Sequence, residues 1–437
     1  ETLSLFSSDE IANFVAIDNK LIETIMPLST MQKDMVMSQW LQAESLANTL
    51  GYRAEVETWV DEKLWRRACQ ITCDTEAVTR TVFAINPKPY GEFAWQCVLK
   101  NLAIELEVMD YRRDQLSAAE IDKRVNAFIY RPEAYLHNQL IRYGLMRISD
   151  DKTILLLSSH HALLDGVSIV LIAQKAAQFY EAISQNHLLD ATTTDSLVVA
   201  NYVRRDLQQR DSQQNIAYWK QHFSQCEALD FPQSACSKEA TQKVCTRALS
   251  QNLSQQIKQF AKQQRMTAAQ LIKLVYGLMI SHYCRAESDF YFSEFQAGRQ
   301  RDNAYALGCF FEQTPFIFPA SALTQESRLQ DLFDYLRDFR KSSKAYDGIS
   351  LGMTRKLASS GRLHFMFNYY HFFPQHQRLL GHRIHCIEMP PFIGNTVQFI
   401  AKEHEQHLSL DLYYQSHVFN DFGFLERMES ILQQLCE

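Results

Sequence analysis

The sequence predicts a mixed α/β (α+β) protein of two lobes, and three observations point there. Its 437 residues exceed what one hydrophobic core usually takes. Short apolar runs with strand character alternate with segments of helical period along the whole chain. Near the middle, the polar stretch ISQNHLLDATTTDS breaks the pattern and reads as the connection between lobes. The expected division is residues 1–24 as linker and N-terminal helix, 25–190 as N-terminal lobe and 191–437 as C-terminal lobe.

The elements follow in order. A helix is expected from Leu5 to Leu21, capped by Ser7, Ser8 or Asp9. MPLSTMQKDMVMSQWL turns at Pro27 and continues as a helix carrying Met31, Met35 and Trp40. DEKLWRRACQITCDTEAVTRTVFAI reads as a helix running into a strand at Thr81–Ile85. In LIRYGLMRISDDKTILLLSSHH two apolar strands flank the turn Ser149–Lys152, a hairpin pattern. Past Gly166, residues Ile169, Ile172, Ala173, Ala176, Tyr180 and Ile183 recur at helical spacing. Helices are expected over 198–223 and 253–284, then a strand in SDFYFSEFQAGR and an irregular segment, LGCFFEQTPFIF. A helix over 329–346 precedes the strands HFMFNYYHF, HCIEM, TVQFIAKEH and LSLDLYYQ, which read as an antiparallel meander, and a last helix lies in FGFLERMESILQQL.

Composition excludes several classes. With 44 basic against 50 acidic residues and no basic block, the chain lacks the phosphate-binding charge of a nucleic-acid protein. Its longest apolar runs, such as TILLL and LVYGLMI, fall far short of the ~20 residues of a membrane span. The start, ETLSLFSSDE, has neither an initiator Met nor a basic-apolar leader and reads as the interior of a longer polypeptide. Ten scattered cysteines without a C-x-x-C pair read as reduced thiols of a cytoplasmic protein. There is no Gly-rich phosphate loop and no G-x-S-x-G elbow. HEQH, His404–His407, is one residue short of the H-E-x-x-H zinc signature and lies in a strand-like segment, so no metal site is expected.

The chemistry concentrates in LSSHHALLDGVSIV, Leu157–Val170. Side chains alternate along a strand, so His160 and His161 leave it on opposite faces. Asp165 can turn back toward a histidine or accept backbone N–H groups. Gly166 permits close backbone approach, and its N–H at a helix start can donate to a developing oxyanion. An imidazole, with a pKa near ~6.5, suits removal of a proton from an amine or hydroxyl nucleophile.

HHALLDGVS resembles the HHxxxDG signature of the condensation domains of nonribosomal peptide synthetases, in the chloramphenicol-acetyltransferase-like superfamily. Further segments resemble that family in the same order along the chain: MPLSTMQKDM with Gln32, TRTVF with Arg80, YWKQHF followed by LDFPQS, FQAGR with Arg299, LGCFFEQTP, and FNY at Phe367–Tyr369. The resemblance implies a V-shaped pseudo-dimer of two similar lobes with an active-site tunnel between them. Donor and acceptor carrier proteins would bring phosphopantetheine thioesters to it, beside adjacent synthetase domains, with no cofactor bound directly. It implies His161 as general base, His160, Asp165 and Gly166 as support, and an Asp165–Arg299 ion pair reaching across from the other lobe. The segment before Pro27 resembles a linker after an upstream carrier domain.

Three departures bear on substrate preference: Val167 where the family usually has Trp, Glu312-Gln313 where it commonly has Asn-Thr, and KAYDGISL in place of a histidine-containing motif. Two alternatives use the same histidines. Wax-ester and diacylglycerol acyltransferases share the signature but do not account for Gln32, YWKQHF or FNY. Epimerization domains often carry DGVS, yet need a Glu where this chain has Phe295, with Glu294 one residue away on the opposite strand face.

Overall fold

The computed structural model describes residues 9–10, 18–86, 93–132, 140–187, 197–210, 212–231, 236–237, 241–299, 303–323, 328–346, 348–358, 364–370, 377–388 and 396–437. The expected helix over Leu5–Leu21 lies mostly outside them. The fold is mixed α/β, with two compact units. The first comprises Glu1–Leu207, Gly298–Phe311 and Pro374–Phe392; the second comprises Gln208–Ala297, Glu312–Phe373 and Ile393–Glu437.

The first unit holds a three-stranded and a six-stranded sheet. The smaller has the order β1 (Ile22–Pro27), β4 (Ala94–Leu99), β3 (Thr81–Ile85), all antiparallel. The larger runs β12 (Gln377–Leu379), β13 (His382–Glu388), β2 (Thr49–Val56), β7 (Thr153–His160), β6 (Ile141–Arg147), β5 (Leu106–Asp110). Only β5 and β6 are parallel. Every residue of β7 is buried, which is why its sequence is a continuous apolar run rather than an alternation.

Helix α1 (Thr30–Leu41) starts at a capping box between Ser29 and Gln32, and Asp206 accepts from the Thr30 N–H and hydroxyl at 2.7 and 2.9 Å. Helix α2 (Glu62–Thr75), N-capped by Asp61, is followed by α3 (Ala118–Ile129) and α4 (Gly166–Ser184). Trp65 of α2 and Tyr180 of α4 bring their rings to 5.9 Å, and the Tyr180 hydroxyl accepts from the Asp61 N–H. Helix α5 (Leu197–Gln209) belongs to this unit as far as Leu207.

The second unit has the sheet β10 (Phe311–Phe318), β9 (Phe290–Ala297), β11 (His364–Tyr370), β14 (Thr396–Glu403), β15 (Leu408–Gln415), β8 (Gln242–Ala248). Its helices are α6 (Gln213–Phe223), α7 (Gln251–Gln263), α8 (Ala268–Cys284), α9 (Leu329–Ser343), α10 (Leu351–Leu357) and α11 (Phe424–Cys436). Tyr276 of α8 centres an aromatic core with Phe292, Phe367, Phe399 and Phe424, ring centroids 4.8–6.0 Å away. The order β2-β7-β6-β5, antiparallel twice and then parallel, recurs as β8-β15-β14-β11. In both units the first-named strand leads the other three in sequence, and a helix follows the central hairpin.

Three expectations need correction. The cut at 190/191 does not describe the units: the first extends to Leu207 and takes two segments from the second half of the sequence. One supplies Arg299; the other supplies β12 and β13, which extend the sheet beside β2. The segment LGCFFEQTPFIF is irregular only to Phe310, because Phe311–Phe318 is β10. The last strands are not one antiparallel meander. Strand β11 pairs parallel with both β9 and β14, and only β14 and β15 form an antiparallel hairpin. Alternation identifies a strand but not its partner. Here the chain leaves after β11 to build β12–β13 in the other sheet and re-enters alongside β11.

Candidate active site

His160 is the last residue of β7 and is fully buried, with its ring edge-on to Phe83 at 6.2 Å. The Ala162 N–H donates to its Nδ1 at 3.2 Å, so in the neutral ring the proton sits on Nε2. Burial, and next the neighbouring His161, push its pKa down to about 3.

His161 follows outside the strand and is partly exposed. Its N–H donates to the Asn48 carbonyl at 2.7 Å, and its Nδ1 lies 2.9 Å from the Leu164 carbonyl oxygen. A carbonyl only accepts, so Nδ1 carries the proton and Nε2 keeps a lone pair. The two adjacent histidines are thus held in opposite tautomers. The Phe311 ring packs over the His161 imidazole at 4.6 Å. Burial holds the His161 pKa below its ordinary 6.5, against the opposing pull of the Asp165 charge and the Leu164 carbonyl.

These shifts have a sign. A step that needs free Nε2 at His161 should have its acid limb below 6.5. The unfolded chain takes up a proton at position 160 below about 6.5 while the native ring resists down to about 3, so stability falls across that window. Melting curves between pH 7 and 4 should show the slope, and His160→Gln should flatten it.

Asp165 caps α4, accepting the Ser168 N–H at 2.7 Å. Arg299 Nη2 donates to both of its carboxylate oxygens at 2.7 and 2.8 Å, and the Phe310 N–H reaches one of them at 3.3 Å. Arg299 also donates to the Ser168 hydroxyl at 2.8 Å and, through Nη1, to the carbonyls of Asn303, Ala304 and Ala306. The Ser168 hydroxyl donates to the Gly308 carbonyl and accepts its N–H, while the Asp165 N–H donates to the same carbonyl at 3.0 Å. Sequence reasoning placed Arg299 in the other lobe; it belongs to the same compact unit as Asp165.

Gly166 is the first residue of α4 and is exposed. A Cβ there would meet nothing within 4 Å, and the backbone needs no glycine-only conformation. The N–H of the first helical residue has no acceptor inside the helix, and a helix N-terminus favours a developing negative charge. Val167 beside it is 46% exposed.

The condensation-domain family profile matches residues 22–437, nearly the whole chain. The chain belongs to the condensation-domain family. This condensation domain is 22% identical to a mycosubtilin synthase from Bacillus subtilis, over 97% of its own length and 16% of that protein. It is 24% identical to a linear gramicidin synthase from Brevibacillus parabrevis, over 77% of its length and 6% of that protein. It therefore spans only a small part of the curated relatives that it matches. Among solved structures, the first condensation domain of the calcium-dependent antibiotic synthetase, in complex with a substrate analogue, superposes with a TM-score of 0.77 at 16% identity, covering 95% of this chain and 97% of that one. The condensation domain of the monacolin K polyketide synthase gives 0.75 at 15%, covering 95% and 98%. At such identities the likeness concerns the fold.

Sequence reasoning missed several groups of this condensation domain's site. Ser168 was readable as the third helical residue after an Asp cap. The Leu164 carbonyl, the Asn48 carbonyl and the Phe311 ring carry no sequence signal, since each acts through placement. The expectation that His404 and His407 are held apart along a strand is corrected. They occupy the turn between β14 and β15, with rings stacked at 4.5 Å and 14°. Parallel rings do not converge their nitrogens on one ion, and among the described residues no cluster of three or more metal-ligating side chains occurs. Glu294 pairs with Lys273 at 2.8 Å in the second unit. Among the described residues no helix is long and apolar enough to cross a membrane.

Proposed function

We infer that this condensation domain is the acyltransferase of a nonribosomal peptide synthetase, acting in the cytoplasm beside the synthetase's other domains. It transfers a donor acyl or peptidyl group from the phosphopantetheine thioester of one carrier protein to the amine carried by another. The observation that supports this most is the His161 tautomer: Nδ1–H tied to Leu164, Nε2 basic and on a partly exposed ring.

The chemistry follows from those atoms. An acceptor ammonium must lose a proton before it attacks, and Nε2 takes it. The new N–C bond forms at the thioester carbonyl, whose oxygen becomes an oxyanion and accepts from the Gly166 N–H. Collapse of the intermediate breaks the C–S bond. The departing thiolate takes the second proton of the attacking nitrogen, and the His161 imidazolium releases the first to solvent, which restores the neutral base. His160 and the Asp165–Arg299 pair hold the loop while this happens.

Epimerization of a carrier-bound residue is the competing outcome, and Val167 is the feature that favours it. The test uses the chain with a loaded donor and a loaded acceptor carrier protein, and reads the acceptor carrier by mass spectrometry. A mass gain equal to the donor acyl group is expected. An unchanged acceptor, together with uptake of solvent deuterium at the donor α-carbon, would replace this reading with the epimerase.

A further inference from the structure

The loop between β7 and α4 has few donors of its own. The Leu164 carbonyl receives His161 Nδ1–H, and the His160 carbonyl receives the Leu163 N–H at 2.9 Å. The carbonyl of Ala162, a fully buried residue next to His161, has neither. Its donor comes from the far end of the sequence's first half: Gln32 Nε2 of α1, at 2.9 Å.

Gln32 is itself 3% exposed, and its amide is fully used. One hydrogen goes to Ala162; the other goes toward Gln96 Oε1 at 3.4 Å. Its oxygen accepts the Ser29 N–H at 2.9 Å and Gln96 Nε2 at 3.2 Å. Gln96 Nε2 also donates to the Pro27 carbonyl at 2.9 Å, which ties the pair to β1. The Gln32 side chain therefore cannot rotate without losing bonds to the start of α1 and to β4 as well as to the loop.

We propose that Gln32 is a positioning residue for His161, fixing the Ala162 peptide so that the Leu164 carbonyl stays on Nδ1 and Nε2 is the basic nitrogen. Without the Gln32 donor, the buried Ala162 carbonyl has to turn toward another one. That rotation moves the chain between His161 and Leu164, and the imidazole loses the bond that selects its tautomer. This inference rests on His161 being the base.

The experiment uses the whole chain in the carrier-to-carrier assay, with Gln32→Met, Gln32→Glu, His161→Asn and the Gln32→Met/His161→Asn pair. Gln32→Glu keeps the shape and the Ser29 and Gln96 contacts, and serves if Gln32→Met does not fold. Rates are taken per folded protein, alongside ¹⁵N NMR of the His161 ring. A loss of roughly 10–100-fold in kcat is expected for either Gln32 variant, as for a small misplacement of a reacting group. The ring nitrogens should move toward the other tautomer, and Gln32→Met should cost nothing further once His161 is Asn. An unchanged rate and NMR signature in the Gln32 variants, with His161→Asn still inactive, would overturn the positioning role alone. If His161→Asn keeps its activity, the base assignment itself fails.

Discussion

Replacing His161 with Asn should lower the condensation rate by about 10²–10⁴-fold, the usual worth of a positioned general base, while leaving the melting temperature unchanged. Asn is the informative choice because its side-chain N–H can stand where Nδ1–H stands and still donate to the Leu164 carbonyl, 2.9 Å from Nδ1 in the native ring. The loop keeps its bond while Nε2 is gone, together with part of the ring that Phe311 covers. His161→Ala removes both, along with the packing against Phe311. A larger loss of stability in Ala than in Asn, with equal loss of rate, would separate the two jobs of the ring. The rate should be measured at saturating carrier protein and below pH 8, where an amine acceptor is mostly ammonium and needs the base. Near-native turnover in His161→Asn would mean that the site works by holding two substrates together without a base.

Asp165→Ala should destabilise the first unit by about 3–5 kcal/mol, because it strands the Arg299 guanidinium in a buried position. Three bonding roles end at once: the cap on α4, the double contact to Arg299 and the Phe310 N–H. Arg299→Met should cost a similar amount, leaving the carboxylate alone and freeing the carbonyls of Asn303, Ala304 and Ala306. Asp165→Asn should fall between, since it keeps an oxygen for the Ser168 N–H. Urea unfolding followed by a probe in the first unit would order the three. A fully stable Asp165→Ala would show that the ion pair is dispensable and that the Ser168–Gly308 bonds hold the loop unaided.

Much of this was readable in the sequence, for physical reasons that differ by element. Strand β7 and helix α4 carry their own patterns, a buried apolar run and a period of 3.6, so their junction at 160–166 was placed without a structure. The Asp165–Arg299 contact came from resemblance, since no local pattern links positions so far apart. Its setting was misjudged because chain order suggested the second lobe, whereas the 298–311 segment packs with the first. The parallel pairing of β11 with β14 was out of reach, because period-2 alternation is the same for either direction. Gln32 stood out only as part of a family-like stretch, and its contact with Ala162 depends on a tertiary approach that no spacing encodes.

The scattered make-up of the first unit matters during synthesis on the ribosome. Its strand β2 gains its outer neighbour only when residues 382–388 have emerged, long after the hairpin of β6 and β7 is available. At a typical ~5–20 residues per second, β2 stays a bare edge for on the order of ten seconds or more, a template for wrong pairing. Asp165 waits a little more than half as long for its cation, which lies 134 residues further on. The half of the protein begun first is held open until most of the polypeptide has been made, which makes the nascent chain, more than the finished domain, the stage at which chaperones have something to protect.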